Sequence, residues 1–484
     1  MSNLARVLRN QGKYAKAEQM HRQALALYQA VLGRKHPDTL ASMNNLAIVL
    51  DSQGKYGEAE RMHRQTLVLR QAVPGRKHPS TLNSMNNLAI VLHIQGKYDE
   101  AERMHQQALA LREAVLGREH PSTLNSMDNL ASVLGSKGKY EEAEQMHRQA
   151  LHLSQAVLGR KHPDTLASMN TLACVLGSQG KYEEAEQIHR QALELSKAML
   201  GRKHPGTLAN MTNLARVLDS QGKYAEAKQM HQQALQLREA VLGREHPDTL
   251  NSMNNLARVL GSQGKYKEAE QIYRQTLKLR ETVLGRKHPD TLTSMNNLAV
   301  VFVSQGKYKE TEPMHRQTLE LRETVLGRKH PDTLTSMDGL AESLQGQGNH
   351  KEAEQMHRQR LELRETVLGR EHPDTLTSMN NLAIVLHSQG KYEEAEQMHR
   401  QALELREAVL GKEHPSTLTS MNNLAIVLDS QGKYDEAEQM HRQTLQLREA
   451  VLGKEHPDTL TSMNNLALVL RKQGKYDEAE QVSR

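Results

Sequence analysis

HPDTLASMNNLAIVLDSQGKYGEAERMHRQTLVLRQAVPGRKHP, residues 36–79, decides the fold. The stretch opens and closes on the same His-Pro pair. Between the pairs, Leu40, Met43, Leu46, Ala47 and Leu50 fall on one face when residues are spaced 100° apart, as in a helix. Pro37 ends the preceding loop, Asp38 or Thr39 can cap, and the helix is expected to run to about Ser52. Gly54 then supplies the positive φ that a helix C-terminus favours. A second helix is expected from about Tyr56 to Val73, with Tyr56, Ala59, Met62 or His63, Thr66, Leu69 and Val73 facing inward. Gly75-Arg76-Lys77-His78-Pro79 breaks it before the pattern begins again.

Moving outward, the pattern fills the chain. Gly12 and the Gly at every forty-second position to Gly474 mark twelve copies, and His-Pro recurs eleven times from His36-Pro37 to His456-Pro457. Residues 375–416 and 417–458 differ at only five of 42 positions. Residues 1–484 therefore read as a single array with incomplete first and last repeats and no linker. Isolated helices of this length are marginal in water, so each apolar face must be covered by its own partner helix and by the next pair. Stacking into a helical solenoid meets that need.

Composition points the same way. A length of 484 residues would ordinarily suggest about three domains. The chain has no Trp, one Phe and 37% hydrophobic residues, too few for ordinary cores built on aromatic anchors. A single cysteine, Cys174, excludes an internal disulfide framework and Cys-based zinc modules and fits a reducing, cytoplasmic setting. No apolar run is long enough to span a membrane, and the first residues lack the apolar core of a secretion signal. Residues 1–300 carry 40 Lys+Arg against 28 Asp+Glu, while residues 301–484 carry 23 against 29. Without blocks of like charge this is no nucleic-acid signature, although it favours acidic partners for the N-terminal half.

Met43-x2-Leu46-Ala47-x2-Leu50, Gly54-x-Tyr56 and Ala59-x3-His63 resemble the tetratricopeptide repeat (TPR). The 42-residue period and the linking Leu-Gly-x-x-His-Pro-Asp-Thr-Leu are similar to the longer repeats of kinesin light chains and, still more, to the arrays of fungal and bacterial NLR-like proteins. Met, Leu and His stand where the family usually has Trp, Tyr and Phe. The resemblance implies an all-α, right-handed TPR-like α-solenoid of about twelve helix-turn-helix repeats that binds protein or peptide ligands in a concave groove.

Chemical motifs dissolve on inspection. Of 25 histidines, eleven belong to His-Pro and ten to the second helix, with no carboxylate or thiol at a fixed ligand offset; Tyr273 even replaces one of them. No metal or cofactor is expected. Gly135-Ser-Lys-Gly-Lys-Tyr140 lacks the spacing and the Ser/Thr of a phosphate loop. Any Ser-His-Asp site would have to recur in every unit, so no enzyme is expected. The repeated Met belongs to the core stripe, and RNA binding lacks aromatic platforms. Pro313 should bend a second helix and Pro74 should fray the end of another.

The informative face is the other one. Asn recurs at the Asn45 position in ten of twelve copies, including Asn45, Asn87, Asn129, Asn213, Asn255, Asn297, Asn381 and Asn423, with Thr171 and Gly339 as exceptions. Asn is a poor helix former, so another constraint holds it there. It can bond the backbone of an extended peptide, or it can link adjacent first helices. Beside it the Ile48 and Asp51 positions vary freely, and Arg216 and Arg258, one repeat apart, form a candidate pair for an acidic group. The expected partner is a protein or an extended acidic or mixed peptide, with no nucleic acid and no membrane. Neither end carries a polar capping helix, so end-to-end self-association is the alternative role.

Overall fold

The computed structural model describes residues 2–483. Among them are 24 helices and no strand, numbered α1 (Ser2–Asn10) to α24 (Tyr476–Ser483) in chain order. In the unit quoted above, α3 (Pro37–Ser52) is the first helix and α4 (Tyr56–Ala72) the second.

The first helix starts differently from expectation. His36, not Asp38 or Thr39, is the N-cap: its backbone is extended, its Nδ1 accepts from the Asp38 N–H, and Pro37 follows at the first helical position. Proline suits that position because its missing N–H would have no helical partner there. Thr39 has another task, its hydroxyl donating to the Gly33 carbonyl at 2.9 Å. At the far end Lys55 N–H bonds Leu50 O and Gly54 N–H bonds Asp51 O, both at 2.9 Å. Gly54 sits at φ 71°, in the left-handed region that only glycine enters at no steric cost. The α4 helix is 17 residues long against 19 for α2 (Tyr14–Leu32), because Pro74 stands where other units have leucine. Pro313 leaves α16 (Tyr308–Val325) continuous.

Each core layer is shared by three units. Leu46 and Leu50 of α3 and Ala59 of α4 pack with Leu25 of the preceding second helix and Val91 of the following first helix. The second helix buries Ala59, His63, Thr66 and Leu67. It then buries Arg70, while Val73, expected inside, is exposed. Arg70 Nη1 donates to Ser84 Oγ at 2.7 Å and to the Ser80 carbonyl at 2.8 Å, fastening the second helix to the next unit. Arg112 repeats this on Ser126 and the Ser122 carbonyl, and Arg406 on Ser420 and the Ser416 carbonyl. At Ser196, where the arginine is absent, Asn210 replaces the usual serine and donates to the Ser196 hydroxyl.

Curvature follows from unequal spacing. Successive first helices pack directly on one another. Successive second helices are spanned by long charged side chains, as in Arg64–Glu100 at 2.6 Å and Lys97–Glu60 at 2.7 Å. The first helices therefore line the inside of the curve.

The curve closes on itself. His246 Nε2 donates to Asn10 O at 3.0 Å, and His288, His372, His414 and His456 do the same to Ser52, Ser136, Ser178 and Ser220. The neighbouring prolines press on the glycine turns, Pro247 on Gly12 and Pro289 on Gly54, so closely that a Cβ on either glycine would collide. The end of one first helix thus abuts the start of the first helix six units further on. A carbonyl-bearing C-terminus meets an N-terminus, a favourable alignment of helix dipoles. The superhelix is wound turn upon turn, with the His-Pro pairs as its seam.

The shared layers give a direct prediction. Leu130 is 3% exposed and packs with Leu134, Ala143, Val175 and Leu109. Leu130→Ala should cost about 2–5 kcal/mol. Hydrogen exchange should show that loss as faster opening of the units on both sides, with the ends of the array unaffected.

Candidate interaction surface

The inner face carries the residues singled out above, and the structure separates their roles. Asn87 Nδ2 donates to Asn44 Oδ1 of the preceding unit at 3.0 Å. Asn129, Asn213, Asn297, Asn381 and Asn423 make the same link at 2.8–3.3 Å, to Asn86, Asn170, Asn254, Asp338 and Asn380. Six of the candidate asparagines thus tie adjacent first helices together. Asn45 is exposed, and the link is missing at Asn255, whose partner position is Thr212. The linking bond uses one of the two amide hydrogens of each donor Asn. The residue that receives the bond was missed, although its signal was plain: a second Asn directly before the first in most units.

The two arginines line one pocket but have different surroundings. Arg258 is bound to the buried carboxylate of Asp219 in the preceding unit. Arg216 is exposed and has no ion pair among the described residues. It borders a pocket of about 220 Å³ with Cys174, Asn213, His189, Tyr182 and Arg258. His189 is fully buried with neither ring nitrogen bonded. Cys174 is half-buried, and its burial pushes the thiol up.

Two buried charges lay outside the sequence reading. Asp128, replacing the usual Asn, accepts from His147 Nδ1 at 2.8 Å and from Ser168 Oγ at 2.5 Å. The carboxylate sits between the other two, so the serine is not activated by the histidine and the trio is a structural clamp. Arg360 stands at a position held elsewhere by Ala or Thr and is wholly buried, paired with Asp338. The adjacent Gly339 leaves room that the His315 ring occupies.

The histidines divide by position. Those of His-Pro cap first helices. Those of the second helix are buried, and Tyr273 fills the same slot. Among the described residues no group of three His, Cys, Asp or Glu side chains converges on a point. No described helix is long and apolar enough to cross a membrane.

Known proteins share the repeat. The family model of the tetratricopeptide repeat matches in overlapping windows from residues 1–72 through 430–484, without a gap. The chain belongs to the tetratricopeptide repeat family. A search of curated proteins gave no match. Among solved structures, a Podosopora anserina protein described as a putative kinesin light chain with nearly identical TPR-like repeats shares 29% identity; the match covers 43% of this chain and 98% of that one, with a TM-score of 0.37. A point variant of that protein, solved separately, gives 28% identity, 42% and 97% coverage and a TM-score of 0.38. BtubC (BKLC) from P. vanneervenii shares 21% identity over 48% of this chain and 91% of that one, with a TM-score of 0.38.

The buried histidines of this TPR array predict acid sensitivity. Burial, aided in most units by a nearby arginine, holds His63, His105, His189, His315, His357, His399 and His441 at about 4. The unfolded chain takes up these protons near 6.5. Because the folded pKa is depressed, the stability these histidines contribute is fully present above pH 6.5 and is lost as the pH falls from 6.5 towards 4. Urea melts should show the midpoint dropping steeply across that window. His441→Tyr, which fills the slot as Tyr273 does, should make the drop shallower.

Proposed function

We propose that the array is a non-catalytic scaffold whose inner face holds an extended peptide, with an acidic side chain of that peptide on Arg216. The observation that carries this reading is the uncompensated guanidinium of Arg216 at the rim of a polar pocket, beside the free edges of the Asn ladder. Arg258 is neutralised by Asp219 and contributes little charge. A preorganised helical wall loses little entropy when a ligand docks, and amide groups at a regular rise suit an extended backbone. Variable residues at the Ile48 position, such as Arg6, Cys174 and Glu342, select among sequences. In this reading the array is the recognition part of an NLR-like signalling protein in the cytoplasm. The kinesin-light-chain-like repeats make a cargo adaptor the neighbouring alternative.

The test is capture from a peptide library, read by sequencing the bound peptides. Arg216→Ala should deplete acidic peptides about tenfold or more, equivalent to about 1.4 kcal/mol, while Arg258→Ala should change little. If Arg216→Ala captures the same peptides equally well, the assignment fails. Asn213→Ala also removes the link to Asn170, so it needs a melting curve alongside.

A further inference from the structure

One stretch of the seam is unlike the rest. Where the second and third units face the seventh and eighth, two clefts of about 650 and 610 Å³ adjoin, sharing Tyr56, Gly57 and Val325. Both banks lie inside the array, with further units on either side of each. The lower bank is the first turns of α4 and α6 (Tyr98–Leu116). The upper bank is the two loops that lead into His288 and His330. Val325 and the Tyr56 ring, stacked on His330, supply apolar surface between them.

Departures from the repeat gather here. Arg61 and Arg103 stand at a position that holds Gln in nine of the other ten units and Pro313 in the tenth. Six loops lie on the upper bank of the seam. Those at Arg286-Lys287 and Arg328-Lys329 carry two cations, whereas the other four carry one cation and a glutamate. The unusual arginines of one bank thus lie opposite the unusual lysines of the other. Gly57 adds a third departure: six units have Asp or Glu there, but here nothing stands within 4 Å of where a Cβ would be. At this point α4 begins without a side-chain cap, so its first N–H groups and its dipole favour an anion.

The positive charge is uncompensated. Four carboxylates line the clefts, and each is already paired: Glu58 with Arg22, Glu60 with Lys97, Asp99 with Lys137 and Glu100 with Arg64. Asp290 and Asp332 act on the Tyr56 hydroxyl but line neither cleft. Arg61, Arg103, Arg286, Lys287 and Lys329 line the clefts with no ion pair among the described residues, and Arg328 reaches only Glu323, at 3.9 Å. The Nε of Arg61 and of Arg103 donates to a carbonyl one turn back, which leaves the Nη groups for a ligand.

We propose that this double cleft is a binding site for a compact polyphosphate, held by guanidinium forks from both banks and by the open N-terminus of α4. Phosphate oxygens suit such forks, and the volume lies within the roughly 300–1,000 Å³ of small-molecule sites. A ligand that bridges the banks ties one turn of the coil to the next. The site lies on the seam and uses neither Arg216 nor the Asn ladder, so it stands or falls independently of peptide binding.

Isothermal titration calorimetry of the 484-residue chain with inositol hexakisphosphate tests it. One ligand per chain is expected, with an affinity that falls as salt rises. Arg61→Gln with Arg103→Gln, and separately Lys287→Glu with Lys329→Glu, install residues that other units already carry. Each pair should weaken binding about tenfold or more. Lys161→Glu with Lys203→Glu makes the same charge change as the lysine pair in two loops that line neither cleft. Screened over about 8 Å at physiological salt, it should alter affinity by less than about twofold. A hexaglutamate peptide should bind about tenfold more weakly than the phosphate, because it offers no phosphate oxygens to the forks. Absence of binding, many ligands per chain, cleft variants that bind as the wild type does, an equal loss in the control pair, or tighter binding of hexaglutamate would overturn the proposal.

Discussion

The structure depends on one packing constraint: no unit can close its own core. Leu46, Leu50 and Ala59 form a layer that is finished only by Leu25 from before and Val91 from after. Every other feature is arranged around that sharing. The buried arginine at the Arg70 position ties a second helix to the next first helix through a carbonyl and a hydroxyl, satisfying a charged group that would otherwise be costly to bury. The asparagine ladder ties first helix to first helix. Surface ion pairs span the wider gap between second helices. Individually they are worth little, and their contribution is to hold the outer spacing larger than the inner one.

From that unequal spacing comes the winding, and from the winding a second use for His-Pro. Within a unit the histidine Nδ1 caps a helix; across the coil its Nε2 reaches a carbonyl six units away. One neutral tautomer satisfies both bonds. From Gly12 to Gly222 the glycine after each first helix is likewise used twice, once for its positive φ and once because a proline presses against it. The positive φ of the glycine and the cap made by the histidine recur through the array, and the units that face another turn add the second duty.

The fold was legible because a 42-residue period and a one-face stripe leave few alternatives. Met43, Leu46 and Leu50 are buried as their spacing implied. What escaped was chemistry that local pattern cannot rank. Arg70 lies in phase with Ala59, His63 and Thr66, yet a charged residue in a core stripe reads as solvated until its serine partners are seen. His36 was passed over as a cap because Asp and Thr follow it. The candidate site was only partly legible. The link from Asn87 to Asn44 was one of two readings that the sequence left open, and the ion pair of Arg258 with Asp219 of the preceding unit was not foreseen. The pitch was not legible at all, since it is the sum of small rotations between units and no single unit encodes it.

The close winding is therefore the claim to test most directly. Glu58 and Arg286 lie on opposite banks of one seam cleft, more than five repeats apart in sequence. Spin labels at these two positions, in a chain with Cys174→Ser, report their separation by double electron–electron resonance. A narrow distribution at the short end of the measurable range is the predicted result. A broad, long distribution would mean an open spring, and with it the seam would be gone.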